Sequence, residues 1–352
     1  MAKRIYFILE GSTNSTYIFN AENVDAITYS LKFYKARTVK QKVMKNAFKL
    51  YLYCMGLLCR TSSLCILKDK SEVGRYLEKS IDRPMDFELN EKTSVLISST
   101  RDKIIVHHHG FFFQKFAIGN SYKKVKNEAM VYELLDVPLQ NFEVSKFYDH
   151  ADNENEFCSF KLSSQRKNIK IDINLTSALV EMFNVTRQNE CSFTFHLEGL
   201  KNRYLKSAIE CKSVERVLRN FIDNYKNLFI PLGLVHRDFK PWNINDESGL
   251  LIYDFEDAVI DGPPLEDLFN YYIDPIVRYL SPSKVSEKIF EIKNVKEYEC
   301  YLGKLEINLD FKLLLYCYLI ERAIFWMNAN EKETSARYCD LFEYIIMEYK
   351  GE

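Results

Sequence analysis

Residues 235–243 read Val-His-Arg-Asp-Phe-Lys-Pro-Trp-Asn, and a second short motif, Asp254-Phe255-Glu256, follows eleven residues after the last of them. Before the first motif, apolar residues recur at spacings of three and four over residues 213–229, which predicts an amphipathic helix. Residues 250–253 are apolar and predict a short strand that leads directly into the second motif. The sequence therefore predicts a helix, a polar loop, a strand and an acidic loop in that order.

The polar residues of the two motifs suit the transfer of a phosphoryl group. Such a transfer needs a carboxylate to accept the proton of the attacking hydroxyl, oxygen ligands to hold Mg²⁺ on the phosphates, and a cation to offset their charge. Mg²⁺ prefers carboxylate and amide oxygens, which Asp254 and Asn243 offer. Asp238 is then the candidate base. Taken alone, an aspartate is more often a turn or helix-start residue, so the prediction depends on the three together.

The two motifs together, H-R-D-F-K-P-W-N and D-F-E, resemble those of the protein-kinase-like superfamily. They are most similar to its small-molecule branch, which includes aminoglycoside phosphotransferases and choline kinases. The resemblance implies an α+β, bilobal protein-kinase-like fold with a small β-rich N-lobe and a larger helical C-lobe. It implies ATP as the donor and Asp238 as the catalytic base, with Lys240 near the γ-phosphate. It also implies that Asn243 and Asp254 are the ligands of Mg²⁺.

The same resemblance implies a strand lysine that pairs with a helix glutamate earlier in the chain. Three β-rich runs separated by turn residues predict an antiparallel meander at 94–97, 103–106 and 111–118. A helix is predicted after it, at 121–135. Lys115 lies on the third strand and Glu128 in the helix. Lys115 is therefore the candidate for the α- and β-phosphates, with Glu128 as its partner.

The loop after the first strand of the meander departs from the protein-kinase pattern. Ser98, Ser99 and Thr100 stand where protein kinases have glycines. The hydroxyls and backbone amides of these residues would have to cover the phosphates. A second expectation concerns His236, which the resemblance implies to be structural, with its ring beside Phe255.

The spacing after Asp254 favours a small-molecule acceptor over a peptide. Gly262-Pro263-Pro264 follows within eight residues and no A-P-E motif is present, so the long activation segment of protein kinases is missing. Three alternatives stay open. The first is a protein kinase, of which Arg237 and Lys240 are typical. The second is a non-catalytic kinase-like binding module, with which the unusual first loop is compatible. The third is an accidental motif match in an unrelated helical protein.

The window between Lys240 and Arg278 contains no lysine or arginine and nine acidic residues. Two interpretations stay open for these acids. They attract a cationic acceptor such as an amino sugar or amino alcohol, or they form a solvated face and the acidic starts of helices, as Glu266 and Asp267 would. Sugars and glycan intermediates are further candidate acceptors.

Whole-chain properties bound the remaining possibilities. The 352 residues are enough for more than one domain, and we expect an N-terminal segment at 1–90, a kinase-like N-lobe at 91–165 and a helical C-lobe at 166–352. The formal net charge of −1 gives no indication of nucleic-acid binding. The longest apolar runs are too short or too charged to predict a membrane span. The nine cysteines, odd in number and without a C-x-x-C pair, predict reduced thiols in a cytoplasmic protein. Nothing in the sequence indicates an oligomeric state.

Overall fold

The computed structural model of the chain describes residues 5–10, 15–21, 23–31, 39–61, 68–69, 93–98, 103–108, 110–117, 121–153, 157–163, 174–245 and 249–348. The chain divides into two compact units, one formed by residues 1–136 and 145–167 and the other by residues 137–144 and 168–352. The predicted boundaries at residues 90 and 165 stay predictions.

The first unit is built on one antiparallel sheet of eight strands, in the order β3-β1-β2-β4-β5-β6-β9-β8. The strands of this sheet are β1 (Ile5–Glu10), β2 (Ser15–Asn20), β3 (Lys68–Asp69), β4 (Thr93–Ser98), β5 (Lys103–His108), β6 (Phe112–Ala117), β8 (Phe147–Asn153) and β9 (Phe157–Ser163). Three helices belong to the same unit: α1 (Val24–Ser30), α2 (Val39–Thr61) and α3 (Tyr122–Leu134).

The predicted meander is present as β4, β5 and β6, but it is not a separate three-stranded sheet. Strand β2 pairs with β4 on one side, with Tyr17 opposite Leu96, and β9 pairs with β6 on the other. A lone meander would expose the unpaired N–H and C=O groups of its edge strands. The strands from either end of the unit take up those groups, and the leading part of the chain therefore contributes to the sheet itself.

The second unit is mainly helical. It contains α4 (Leu175–Asn184), α5 (Phe193–Lys206), α6 (Lys212–Asn224), α7 (Glu266–Val277), α8 (Pro282–Ile289), α9 (Ile292–Lys304), α10 (Phe311–Asn328) and α11 (Lys332–Glu348). Two small sheets accompany these helices: β10 (Gln188–Ser192), β11 (Phe229–Val235) and β14 (Val259–Gly262) form one, and β12 (Ile244–Asn245), β13 (Leu251–Ile252) and β7 (Glu143–Val144) form the other. The predicted α+β class, with a β-rich first part and a larger helical second part, is confirmed.

Helix α10 lies at the centre of the second unit. Its sequence is apolar nearly all round, which predicts a buried helix, and Leu315, Leu319 and Ile320 are at most 1% exposed. Arg322 on the same helix is also 1% exposed, and burial of a guanidinium requires charged or polar partners. Those partners belong to the candidate site described below.

The helix predicted at 213–229 is shorter in the structure. Helix α6 ends at Asn224, and Phe229 already begins β11. The apolar spacing continues past the helix because Tyr225 and Leu228 are half-buried in the turn that leads to β11. Strand β10 was not predicted, since Gln-Asn-Glu-Cys-Ser shows no apolar alternation; its pairing with β11 holds it in place.

Two further expectations concern thiols and membranes. The cysteines that the structure describes with their side chains are free thiols at positions 54, 191, 211, 300, 317 and 339, in agreement with the prediction of reduced cysteines. Within the described ranges, no helix has both the length and the apolar character that a bilayer crossing requires.

Candidate active site

Strand β11 carries the chain into the first motif, and its position depends on two glycines. Gly233 lies opposite Gly262 of β14. A Cβ at Gly233 would come within 2.3 Å of the Phe183 carbonyl oxygen, and a Cβ at Gly262 within 2.0 Å of Val235 Cγ2. Only a residue without a side chain allows these approaches. The glycines therefore let β11 lie close to α4 and β14 and fix the start of the loop.

Asp267, in the first turn of α7, anchors the backbone of the loop. Its Oδ2 accepts a hydrogen bond from His236 N (2.8 Å) and its Oδ1 one from Arg237 N (2.9 Å). Asn270 Nδ2, one turn later, donates to Arg237 O (2.9 Å). Burial raises the pKa of Asp267 to about 6, against the lowering effect of His236 and the two backbone N–H donors. The carboxylate is thus ionised at neutral pH and holds the loop to α7.

His236 has the structural place that the sequence predicts. The side chain is fully buried, its ring centroid lies 4.7 Å from that of Phe255, and its Nε2 lies 3.0 Å from the carbonyl oxygen of Tyr253. This hydrogen bond requires the tautomer with the proton on Nε2. His236 thereby ties the first motif to the second.

Both carboxylate oxygens of Asp238 are held by neighbours. Asn243 Nδ2 donates to Asp238 Oδ2 (2.8 Å) and also to its carbonyl oxygen (2.8 Å). Lys240 Nζ lies 2.5 Å from Asp238 Oδ1. The side chain of Asp238 is still 29% exposed, so a hydroxyl group can reach it. The arrangement fixes the carboxylate and keeps it accessible.

Lys240 continues this contact into a buried network. Its Nζ also lies 2.6 Å from Asp274 Oδ2, and Asp274 Oδ1 accepts hydrogen bonds from Arg322 Nη2 (3.0 Å) and from the hydroxyl of Tyr338. Burial alone would raise the pKa of Asp274, but Arg322 and Lys240 outweigh it and hold the pKa below its ordinary value. Asp274 is therefore the common counter-ion of two buried cations.

The amide of Asn243 and the carboxylate of Asp254 belong to the same end of a two-stranded ribbon. Strand β12 pairs with β13 in antiparallel register, and Tyr253 N donates to Asn243 O (3.2 Å). Asp254 follows directly and has φ +73°, in the left-handed region that non-glycine residues rarely adopt. The Nδ2 of Asn243 is used by Asp238, which leaves Oδ1 as the atom that suits a metal. One amide oxygen and one carboxylate at the end of a ribbon fit Mg²⁺.

Two more residues around the loop have positive φ. Arg237 has φ +62° and Leu265, just before α7, has φ +68°. Strained backbone of this kind is costly and concentrates at functional sites. Arg237 is further held by ion pairs from its Nε to Glu266 (3.0 Å) and from its Nη2 to Glu321 (3.1 Å).

In the first unit, Lys115 and Glu128 meet as the sequence predicts. Lys115 Nζ donates to both oxygens of Glu128, at 2.6 and 2.8 Å. The Glu128 side chain is fully buried and that of Lys115 is 12% exposed. A failure of Lys115 and Glu128 to meet would have favoured an accidental motif match. Because the two residues do meet, that argument no longer applies. The role of the pair in binding phosphates stays a prediction.

The remaining predicted site residues are placed less completely. Ser98 ends β4, and Ser99 and Thr100 lie outside the described residues. Of the acidic window, Glu266, Asp267 and Asp274 are buried and bonded within the protein. For those three residues, the contacts favour structural charges over the attraction of a cationic acceptor. As helix-start charges, Glu266 and Asp267 do lie in the first turn of α7.

The contacts of Asp267, Asn270, Asp274, Arg322 and Tyr338 were not predicted. Asp267, Asn270 and Asp274 lie 30 or more positions from the loop residues they contact, and Arg322 and Tyr338 lie 48 and 64 positions from Asp274; no local pattern connects such distant positions. One available signal was Arg322, a buried charge in the mostly apolar α10, which required a buried partner.

No family model matches the chain, and no curated protein gives a significant match. Solved structures do show similarity at low identity. The aminoglycoside phosphotransferase APH(2″)-IIIa with GDP and kanamycin is 13% identical, with a TM-score of 0.47, and the match covers 80% of this chain and 100% of that one. APH(4)-Ia with ADP and hygromycin B is 11% identical (TM-score 0.44, 80% and 100% covered). Macrolide 2′-phosphotransferase type I is 12% identical (TM-score 0.44, 77% and 96% covered).

At TM-scores below 0.5, this likeness by itself carries no conclusion about the reaction or the acceptor of this chain. Any such conclusion has to come from the side chains described above. The chain is similar in structure, at low identity, to aminoglycoside and macrolide phosphotransferases, which are small-molecule kinases of the kind that its two motifs resemble.

Proposed function

We propose that the chain is an ATP-dependent phosphotransferase that moves the γ-phosphate to a hydroxyl group of a small molecule, with Asp238 as catalytic base. The observation that supports this most directly is the way Asp238 is held. Asn243 Nδ2 and Lys240 Nζ each contact one of its carboxylate oxygens, and the side chain remains 29% exposed. A general base needs this combination of fixed geometry and access.

Each loop residue has one task in the proposed reaction. Asp238 accepts the proton of the acceptor hydroxyl, whose oxygen forms the new bond to the γ-phosphorus as the bond to the leaving ADP breaks. Asn243 orients Asp238 through its amide N–H. Lys240, held between Asp238 and Asp274, supplies positive charge beside the transferred group. His236 and Asp267 hold the loop backbone in place.

The proposed donor is ATP with Mg²⁺, which when bound offsets the charge of the phosphates. Asn243 Oδ1 and the Asp254 carboxylate are the proposed ligands of the metal. Lys115, held by Glu128, is the proposed contact of the α- and β-phosphates. Ser98, Ser99 and Thr100 are proposed to cover the phosphates.

The short segment after Asp254 favours a small-molecule acceptor. Its residues form β14, which pairs with β11, and α7 then begins at Glu266. Of the nine residues between the second motif and α7, four belong to β14, and the remaining five are too few to form a platform for a peptide. Sugars, amino sugars, glycan intermediates and amino alcohols are the proposed acceptor classes. The free thiols agree with a reducing compartment such as the cytoplasm.

A transfer assay tests the proposal. The full chain is incubated with Mg-ATP and with pools of sugars, amino sugars and amino alcohols, and phosphorylated products are detected by mass spectrometry. Asp238→Asn should lower the rate by about 10²- to 10⁴-fold, because it removes the base while leaving its size and one oxygen in place. Asp223→Asn, on the exposed face of α6, should leave the rate unchanged.

Two results would contradict the proposal. Phosphorylation of casein but of no small molecule would identify a protein kinase. Equal rates for the wild type and Asp238→Asn would show that Asp238 is not the base.

A further inference from the structure

A cavity of about 370 Å³ in the second unit is lined in part by Arg237 but does not reach Asp238, the next residue. Its walls come from α5, α10, β11, β14 and the segment before α7. Among the described residues that line it, Asp238, Asn243 and Asp254 are absent. A space of this size is typical of small-molecule sites. It is therefore a space separate from the site where the proposed base lies.

One wall of the cavity is apolar. Phe195 of α5, Val259 of β14 and Pro263 before α7 line it, and none of the three is fully buried. Phe195 is 73% exposed, an unusual position for a large aromatic side chain. An aromatic or aliphatic ring in the cavity would remove such surface from water, which is favourable.

Gly199 leaves space at one wall of the cavity. It lies inside α5, where a glycine is less favourable than alanine. No close packing requires it: a Cβ at this position would meet one atom, Arg203 Nη1, at an ordinary 3.6 Å. An isolated glycine inside a helix usually has a packing or functional reason. Here its consequence is space for a ligand.

The charged groups of the cavity leave one carboxylate over. Glu321 accepts ion pairs from Arg203 (2.6 Å) and Arg237 (3.1 Å), and Glu266 pairs with Arg237 (3.0 Å). These two acids and two arginines balance. Asp261 is exposed and makes no side-chain hydrogen bond or ion pair with another described residue.

His196 adds a neutral polar group to the same space. Burial lowers the pKa of His196 and outweighs Glu321 and Asp261, which raise it; Arg203 lowers it further. The ring is therefore uncharged at neutral pH. It stacks on Phe193 with centroids 6.1 Å apart, and its ring nitrogens make no hydrogen bond with the described part of the chain. A neutral imidazole has one nitrogen that accepts a hydrogen bond.

We propose that this cavity binds a small monovalent amine that carries an apolar ring, with the ammonium group facing Asp261 and His196 and the ring against Phe195 and the apolar wall. The single unbalanced carboxylate sets the charge of the ligand at one. The site is distinct from the proposed acceptor site and does not depend on the proposed phosphotransfer.

Calorimetric titration of the full chain with 2-phenylethylamine tests this site. Two probes of matched shape, 2-phenylethanol and 3-phenylpropionate, lack the positive charge. We expect the amine to bind up to about fivefold more tightly than the alcohol, as one exposed ion pair allows, and the carboxylate to bind more weakly still. Asp238→Asn should bind the amine like the wild type.

Three variants test the location. Gly199→Leu should abolish binding by filling the cavity, while Gly199→Ala should retain it. Asp261→Asn should weaken binding by up to about fivefold. The control Asp340→Asn, at an exposed position of α11, should leave binding unchanged. Thermal unfolding checks that each variant is folded. Equal binding of the three probes, no binding of the amine at millimolar concentration, or no difference between Asp261→Asn and Asp340→Asn would overturn the proposal.

Discussion

Each unit of the protein contains a lysine that is paired with carboxylate, and the two pairs are built differently. Lys115 in the first unit, 12% exposed, donates two hydrogen bonds to one residue, Glu128. Lys240 in the second unit lies between two carboxylates, Asp238 on its own loop and Asp274 on α7. Asp274 is in turn bonded to Arg322. The first lysine contacts both oxygens of one acid, and the second is shared between two acids, one of which also binds Arg322.

This difference has a consequence for stability and for mechanism. Lys115 and Glu128 can be replaced together, which tests the contribution of the pair as a unit. In the network, removal of Asp274 leaves both Lys240 and Arg322 without their shared counter-ion, and Lys240 is then free to follow Asp238 alone. The second unit thus couples the position of the proposed base to the packing of α10.

The largest stability effect should come from Asp274→Asn. Because Arg322 is 1% exposed, loss of its carboxylate partner leaves a buried unpaired charge, and we expect a loss of about 3–5 kcal/mol in the free energy of unfolding. Urea unfolding followed by circular dichroism measures it. The control Asp223→Asn, whose side chain is 71% exposed, should change stability by less than about 1 kcal/mol. Equal effects of the two variants would show that the network does not stabilise the fold.

Glu128→Gln should have the next largest effect, about 3 kcal/mol, because it removes the charge of the buried acid that accepts two hydrogen bonds from the Lys115 ammonium. The double variant Lys115→Met with Glu128→Leu should recover most of that loss, since replacing both members of a buried pair by apolar residues is often neutral. Urea unfolding of the three proteins tests this. A double variant as unstable as Glu128→Gln would show that the two residues do not stabilise the fold as a pair.

A smaller effect separates charged from neutral partners within the network. Tyr338 donates its hydroxyl hydrogen bond to the Asp274 carboxylate, and Tyr318 donates to the amide oxygen of Asn270 (3.1 Å). Hydrogen bonds to charged groups contribute more than neutral ones. We expect Tyr338→Phe to cost about 2 kcal/mol and Tyr318→Phe about 1 kcal/mol, measured by thermal unfolding. The reverse order would contradict the assignment of Asp274 as the charged centre.

What could be predicted from the sequence follows the range of the interactions. The Lys115–Glu128 pair was predictable because the family resemblance implies a strand lysine paired with a helix glutamate, and local patterns located that strand and that helix. The place of His236 beside Phe255 followed from two motifs close in sequence. The contacts of Asp267 and Asp274 with the loop were not predictable, because those residues read equally well as surface charges or helix-start residues.

The errors in the secondary structure have the same origin. Helix α6 ends earlier than its apolar spacing indicates, because Tyr225 and Leu228 continue the spacing in the turn before β11, where Tyr225 packs edge-on against Phe193. Strand β10 has no apolar pattern of its own and exists because β11 offers a free edge to it. Pairing between distant segments decided both features.

The most direct test of the central claim needs no knowledge of the acceptor. The thermal unfolding midpoint of the wild type is measured with ATP, with and without Mg²⁺, beside Asp254→Asn and the control Asp261→Asn. A ligand that binds the folded state alone stabilises it by mass action, by about 1.4 kcal/mol at a tenfold excess over its Kd. We predict a Mg²⁺-dependent rise in the midpoint that Asp261→Asn keeps and Asp254→Asn loses. The absence of any shift at millimolar ATP, or an equal shift in Asp254→Asn, would contradict the assignment of this loop as a Mg-ATP phosphotransferase site.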